Sequence, residues 1–252
     1  QSFGIAFQSA DEDEVETGVF WLPAFHDMGL IGGILEPLYV GGHTVLMSPQ
    51  SFLAQPIRWL SAISQFRATT SGAPNFAYQL CVDRCSPEAV KKLDLSRWRL
   101  AFCGAEPIRA ETLNDFAKLL EPCGFSSKAF YPCYGLAEST LLAAGPDGPS
   151  APQILQAERE ALSHGRLVTP PPHQAAVCQR LVACGQPVRG TTLRIVNPKT
   201  HQSCADAEIG EIWLAGPSVA HGYFGRPEAT EQVFQAFTVD GQGPFLRTGD
   251  LG

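Results

Sequence analysis

The sequence predicts an α/β fold: a mostly parallel sheet flanked by helices, followed by a small β-rich, barrel-like subdomain. Three observations predict it. Short apolar runs alternate with helix-period patterns through the first half of the chain. Pro/Gly-rich loop chemistry interrupts that alternation after Leu142, and strand-type runs dominate from Leu181 onward. Strand–helix alternation implies a parallel sheet covered on both faces.

The elements follow in order. Residues 19–22 read as a strand, 28–40 as a helix apolar on most sides and suited to burial, and 44–47 as a second strand. Pro56 suits a first helical position, with Ile57, Leu60, Ile63 and Phe66 at helical spacing behind it. Residues 76–85 form the next helix; Ser86-Pro87-Glu88 is a helix start with Ser as its cap. Residues 98–103 and 129–133 are strands, and Leu113, Phe116, Ala117 and Leu120 mark one face of the helix between them. Gly145 to Pro152 is loop. Ile154, Ala157, Ala161 and Leu162 predict a short amphipathic helix ended by Gly165, and Pro170-Pro-Pro172 is a second breaker. Strands are expected at 192–196 and 208–215, with Asn197-Pro198 and Asp206 in turns. A helix opens at Pro227 and runs through Phe234, and 245–247 is the last strand. This gives an α/β subdomain over 1–147, a breaker-rich intervening stretch over 148–183 and a β-rich subdomain over 184–252.

Composition narrows the function classes. With 44% hydrophobic and 17% charged residues in 252, the chain has globular composition and the length of one large or two smaller domains. No apolar run is long enough to cross a bilayer, so no integral membrane segment is expected. The formal net charge of -7 argues against a nucleic-acid partner, which requires a basic stripe. The eight cysteines lack paired zinc-ribbon spacing, and several sit inside apolar runs. They read as reduced, buried thiols of a cytoplasmic protein. The opening Gln-Ser-Phe-Gly shows no signal peptide, and both ends read as cuts in a longer chain.

Four segments place polar groups at strand ends, where ligands bind in parallel α/β sheets. In Trp21-Leu-Pro-Ala-Phe-His26-Asp27, His26 suits contact with an anionic substrate, or simply a hydrogen bond to a neighbour. In Phe102-Cys-Gly104-Ala105-Glu106-Pro107, small residues permit close approach of a flat ligand; alternatively this is a plain strand–helix turn, with Glu106 favouring the N-terminus of the following helix. In Tyr131-Pro-Cys-Tyr134-Gly135-Leu-Ala137-Glu138, a ring can stack on a base and a carboxylate can share Mg2+ with phosphates; the alternative is a buried Tyr and a capping Glu. In Thr248-Gly249-Asp250, a carboxylate after a strand can accept from both ribose hydroxyls, or serve as a turn Asp. An aromatic platform, a metal carboxylate and a ribose carboxylate are together what a nucleoside phosphate requires.

As a set, these segments resemble the adenylate-forming superfamily of acyl-CoA synthetases, luciferases and adenylation domains, and within it the fatty acyl-AMP ligases. Pro23-Ala-Phe-His26-Asp27-Met-Gly-Leu is similar to that family's substrate-side His motif. Ser71-Gly-Ala-Pro-Asn75-Phe76-Ala-Tyr78, Gly104-Ala-Glu-Pro107 and Tyr134-Gly-Leu-Ala-Glu138 are similar to its acyl-pocket and adenine-site segments. Gly210-Glu-Ile-Trp213, Gly222-Tyr223 and Thr248-Gly-Asp250 are similar to its later core motifs.

The resemblance implies ATP and Mg2+ as cofactors and a fatty acid as substrate. It implies that Tyr134 and Gly135 face adenine with Gly104, Ala105 and Glu106 beside it, that Glu138 holds the metal, and that Asp250 binds ribose. It implies that His26 lies near the acyl carboxylate, and Asn75 and Phe76 on the acyl side. Ala137 departs from the wider superfamily, which often has Thr there, and favours the ligase subgroup. Residues 148–183 fall where those ligases carry an insertion thought to disfavour CoA, although an ordinary variable loop fits too.

The resemblance also implies an acyl carrier protein as acceptor, a phosphate loop preceding Gln1, and a C-terminal domain with the catalytic Lys beyond Gly252. The segment by itself is therefore expected to bind nucleotide weakly and not to turn over. An acyl-CoA synthetase or a non-catalytic homologue remains a competing reading. The absence of a Gly-x-Ser-x-Gly elbow sets a serine hydrolase aside.

Overall fold

The computed structural model describes residues 15–171 and 178–252. The reading of the N-terminal Gln-Ser-Phe-Gly, the last Pro of the Pro170–172 breaker and part of the 148–183 stretch lie outside them. The chain forms two compact units. One takes in the chain up to Tyr134 together with Ala144–Gln153 and Val182–Gln186. The other comprises Gly135–Ala143, Ile154–Leu181 and Pro187–Gly252.

The first unit is built on a five-stranded sheet of order β2-β1-β3-β4-β5. Its strands are β1 (Thr17–Phe20), β2 (His43–Leu46), β3 (Thr70–Ala73), β4 (Leu100–Cys103) and β5 (Phe130–Pro132). All four pairings are parallel, as the strand–helix alternation predicts. Helices Ile57–Gln65, Asn75–Arg84 and Ala110–Leu120 connect them. The Ile57–Gln65 helix buries Trp59, Leu60 and Ile63, and Ala110–Leu120 buries Leu113, Phe116 and Leu120, the positions its 3.6-residue period marks. Ser86 caps the Pro87–Val90 helix through Ala89 N, as its sequence signature predicts. A further helix, Pro49–Ala54, is capped in the same way by Ser48.

The core of this unit is aromatic. Trp59 meets Tyr78 and Trp98 edge-on, each at 5.5 Å between ring centroids. Its Nε1 donates to Ser71 Oγ at 2.8 Å, and Tyr78 Oη donates to the Phe102 carbonyl at 2.7 Å. The rings thus contribute apolar area without leaving these polar atoms unpaired.

The apolar stretch 28–40 departs from expectation. It is not one buried helix but a π-helix, Met28–Leu35, continued by an α-helix, Glu36–Val40. Pro37 has no N–H to give the Gly33 carbonyl four residues back. That carbonyl instead accepts from Thr44 Oγ1 at 2.8 Å. Burial is one-sided: Met28, Gly29, Gly32 and Gly33 face inward, while Leu38 is 69% and Tyr39 81% exposed.

Short strands β6 (Tyr134–Gly135), β7 (Leu142–Gly145) and β10 (Gln186–Pro187) lie where the chain passes from one unit to the other. Strand β8 (Ile154–Glu158) pairs with β9 (Cys178–Val182). The helix expected from Ile154 is therefore confined to Arg159–Ser163. Within β8 only Ala157 is fully buried, so strand pairing overrides a helical spacing with almost no apolar face to bury.

The second unit's antiparallel sheet, β11 (Thr192–Val196), β12 (Glu211–Ala215) and β13 (Leu246–Leu251), surrounds a small core of Val196, Trp213, Ala236 and Phe245. The Pro227–Phe234 helix forms as predicted. The last strand extends well past the expected 245–247, so Asp250 lies inside it rather than after it. A register shift between Glu211 and Trp213 and a left-handed Gly249 (φ 77°) accommodate the extra length.

Candidate functional site

In the first unit the candidate residues sit just past the carboxyl ends of parallel strands. Gly104 follows β4, and a Cβ there would lie 2.8 Å from the Cys133 carbonyl and 3.0 Å from Cys133 Sγ. Glycine is thus required for the two strand ends to close on each other. Cys133 N donates to the Cys103 carbonyl at 2.9 Å, carrying the pairing one residue beyond β5. Ala105 adopts a left-handed backbone (φ 65°) that turns the chain sharply and exposes Ala105 and Glu106.

Glu106 does not serve the helix that follows it. Its Oε1 accepts from Phe76 N at 2.6 Å, in the first turn of the Asn75–Arg84 helix. Asn75 answers in the opposite direction: its Oδ1 accepts from Arg109 N at 3.0 Å, at the start of Ala110–Leu120. Two strand-to-helix turns are thereby bound together, and each helix start has a donor satisfied by the other's loop. The partner of Glu106 was not legible in sequence because it is 30 residues away. Asn75 is buried, whereas Phe76 is 44% exposed and meets Trp21 edge-on at 6.1 Å.

His26 is held by its own turn. Its Nδ1 lies 2.7 Å from Asp27 Oδ1 and 3.2 Å from Met28 N, which also donates to Asp27 at 2.6 Å. Asp27 caps the π-helix, and the His26 side chain is 46% exposed. Trp21 and Met28 are buried, with Trp21 stacked on Phe52 at 4.1 Å. A cavity of about 380 Å³ opens at the end of β5, lined by Pro132, Asp147, Gln153, Ala183 and Gln186 among others. None of the residues given a catalytic, nucleotide, acyl or metal role from sequence lines it. Tyr134, half-buried, also belongs to the first unit.

Gly135, Glu138 and Asp250 belong to the second unit. A Cβ on Gly135 would fall 1.7 Å from the Leu141 carbonyl, so no other residue fits there. Glu138 sits on the 3-10 turn Ala137–Ser139, ended by Thr140 in a strained conformation (φ 73°, ψ -61°). Tyr223 Oη donates to Glu138 Oε1 at 2.7 Å, which sequence reasoning did not foresee. The hydrogen bond to the Glu138 carboxylate raises the Tyr223 pKa by holding the proton on the phenol, and burial and the carboxylate's charge act in the same direction.

Asp250 is exposed on β13, and its N–H donates to Thr248 Oγ1 at 3.1 Å. The turn before it is pinned by Glu211, whose carboxylate accepts from Arg247 Nη2 at 2.8 Å and from Gly249 N at 3.1 Å. Among the described residues, no group of three or more His, Cys, Asp or Glu side chains could hold a metal ion. A lone carboxylate such as Glu138 is compatible with Mg2+, which is usually bound by one or two carboxylates together with substrate phosphates and water. Five of the eight cysteines are buried, and none of the eight forms a disulfide among the described residues.

A model of the family described as AMP-binding enzyme matches residues 3–224. The chain belongs to that family. It is 46% identical over 234 residues to the medium-chain-fatty-acid–(acyl-carrier-protein) ligase JamA of Moorena producens, covering 92% of this chain and 40% of that protein. It is 40% identical over 249 residues to the long-chain-fatty-acid–AMP ligase FadD26 of Mycobacterium tuberculosis, covering 96% of this chain and 42% of that protein.

Among solved structures, the fatty acid AMP ligase from Legionella pneumophila aligns with a TM-score of 0.92 and 42% identity, over 99% of this chain and 43% of that one. The fatty acyl-adenylate ligase of the same organism, solved with acyl adenylate and pyrophosphate, aligns with a TM-score of 0.91 over the same shares. This member of the AMP-binding family thus spans about two fifths of the length of the relatives it matches.

Proposed function

We propose that the protein to which this chain contributes activates a fatty acid with ATP as acyl-AMP and passes the acyl group to an acyl carrier protein. The observation that carries this reading is the 42% identity, over 99% of the chain, to the Legionella ligase solved with acyl adenylate and pyrophosphate. The name of the Moorena relative supports the carrier-protein acceptor.

In this reading the fatty-acid carboxylate oxygen attacks the α-phosphorus of ATP. The bond from that phosphorus to the bridging oxygen breaks, and pyrophosphate leaves with its electron pair. A carrier thiol then attacks the acyl carbon and expels AMP. The first step needs positioning and charge neutralisation more than covalent help from the protein. Tyr134 and Gly135 receive the adenine ring, with Gly104, Ala105 and Glu106 at its edge. Asp250 accepts from the ribose hydroxyls. His26 orients the acyl carboxylate, and Asn75 and Phe76 border the acyl chain. Glu138 would hold Mg2+, which when bound neutralises phosphate charge. Residues 148–183 act as the insertion that disfavours CoA, and the compartment is the cytoplasm.

The test is direct. The full-length protein, given ATP, Mg2+ and fatty acids of graded length, should release pyrophosphate and accumulate acyl-AMP. Added carrier protein should become acylated while CoA is used poorly. Efficient acyl-CoA formation would favour the synthetase reading, and no pyrophosphate release would favour a non-catalytic homologue. The 252-residue segment alone is expected not to turn over.

A further inference from the structure

We propose that Tyr223 is a positioning residue for Glu138, and that the Ser218–Tyr223 loop is the clamp that aims this carboxylate at its cation. The inference rests on the proposed role of Glu138 and extends it to residues that no sequence motif assigns to the metal.

Three hydrogen bonds fasten the loop to the Glu138 turn. Thr140 Oγ1 donates to the Ser218 carbonyl at 2.7 Å, Ala220 N donates to the Glu138 carbonyl at 2.8 Å, and Tyr223 Oη donates to Glu138 Oε1 at 2.7 Å. The partners are 78 to 85 residues apart, so they owe nothing to local turn chemistry. Thr140 is the residue held at positive φ, and its hydroxyl contact helps to secure that conformation. The loop itself is anchored. Tyr223 N donates to Thr230 Oγ1 at 2.9 Å, and the Tyr223 ring meets Phe234 edge-on at 5.1 Å. A Cβ on Gly222 would lie 2.2 Å from Thr230 Cγ2, so the approach of loop to helix needs glycine there.

The chemistry follows from the donor. A phenol hydroxyl on one carboxylate oxygen fixes the rotation of the group and leaves the second oxygen to meet a cation in one direction. Hydrogen bonds of this kind to ligating carboxylates commonly govern metal affinity. The phenol also leaves the carboxylate its negative charge, which a Lys or Arg in that place would cancel.

The experiment compares wild type, Y223F and E138Q in the full-length protein. Y223F removes one oxygen and keeps the ring on Phe234, and its melting temperature is measured to confirm that the fold is kept. The readouts are the Mg2+ dependence of pyrophosphate release at saturating ATP, and Mn2+ binding in the presence of a non-hydrolysable ATP analogue, followed by electron paramagnetic resonance. Y223F is expected to raise the half-saturating concentration of either metal about tenfold, the low end for such partners. Its apparent KM for ATP at saturating Mg2+ should stay unchanged. E138Q should abolish the saturable metal response.

If E138Q loses that response and Y223F titrates like wild type, the positioning role is overturned while the metal role of Glu138 stands. If E138Q itself titrates like wild type, Glu138 holds no metal and both ideas fall. If Y223F has lost its fold, T140V tests the clamp instead: it removes the Ser218 contact, leaves the phenol in place, and should raise the same metal constants. Wild-type constants in T140V would overturn the clamp.

Discussion

Glu106 caps a helix whose second residue lies 30 positions before it: its carboxylate accepts the Phe76 N–H at 2.6 Å, while Asn75 Oδ1 accepts the Arg109 N–H at 3.0 Å. The two bonds run in opposite directions between the turns that follow β3 and β4. Removing one should therefore weaken the other.

Replacing Asn75 with Ala strips a partner from Arg109 N and opens space at a buried position. It should cost about 1–3 kcal/mol of folding free energy. Replacing the exposed Glu106 with Ala removes a cap and should cost about 1 kcal/mol. Urea denaturation of both single variants and the double variant measures their coupling. The sum of the single losses should exceed the double loss by at least about 0.5 kcal/mol; strict additivity would show that the turns are independent.

Gly104→Ala would drive a methyl group against Cys133, 2.8 Å from its carbonyl oxygen. The neighbour is backbone and cannot rotate away, so the ends of β4 and β5 must separate. The expected cost is about 1–3 kcal/mol. If Gly104 borders adenine, ATP affinity should fall as well, and titration of the folded variant with ATP separates the two effects. Unchanged stability would show that the strand ends are not held closed here.

Glu36 gives a pH dependence. It is 8% exposed, and neither carboxylate oxygen has a hydrogen-bond partner among the described residues. Burial, with the like charge of Glu16 adding to it, pushes its pKa up from 4.5 to about 7. Between those values the folded chain binds a proton that the unfolded chain does not. The contribution of this site is therefore greatest at low pH and is lost as pH rises through about 7. Glu36→Gln mimics the neutral acid. Its melting temperature should match wild type near pH 5 and exceed it by a few degrees near pH 8, about 2–4 °C for each kcal/mol recovered. Equal melting temperatures at both pH values would mean that Glu36 is charged and paired.

The sequence was most legible where one physical signal acted alone. Leu113, Phe116 and Leu120 show a clean helical period, and Ser86-Pro87 a helix start, because both signals are local. It misled where a distant partner decided. Ile154 and Ala157 carry helical spacing but join a strand, because pairing with β9 satisfies their backbone. The 28–40 stretch is apolar on most sides, and apolarity alone does not say that it begins as a π-helix or that Thr44 takes up the Gly33 carbonyl. Sites behave the same way. The positions of Gly104, Glu138 and Asp250 near strand ends are readable as motifs, whereas the Phe76 partner of Glu106 and the Tyr223 partner of Glu138 are long-range facts. Tyr223 had one signal available: it stands in a Gly-Tyr motif that resembles a family core motif, although its role there was not assigned.

Glu211 offers the last test. It is 5% exposed, and its carboxylate accepts from Arg247 Nη2 at 2.8 Å, from Arg247 Nε at 3.1 Å and from Gly249 N at 3.1 Å. Burial alone would raise its pKa, but the Arg247 and Gly249 hydrogen bonds outweigh it and hold the carboxyl below its usual range. The sign is therefore opposite to that of Glu36. The stabilising contribution is fully present above the ordinary carboxylate pKa and is lost as pH falls through the lowered folded value. Glu211→Ala leaves Arg247 unpaired and frees the turn that carries Asp250. A buried pair broken this way costs about 3–5 kcal/mol, and the partly exposed Arg247 places this one at or below about 3 kcal/mol. The difference from wild type should be full at pH 7 and shrink in acid, which melting curves between pH 3 and pH 7 would show. Arg247→Lys, which keeps the charge but not the bidentate fork, should itself cost only part of that amount. A difference between wild type and Glu211→Ala that stays constant down to pH 3 would mean that Glu211 acts by packing alone and that its charge holds nothing in place.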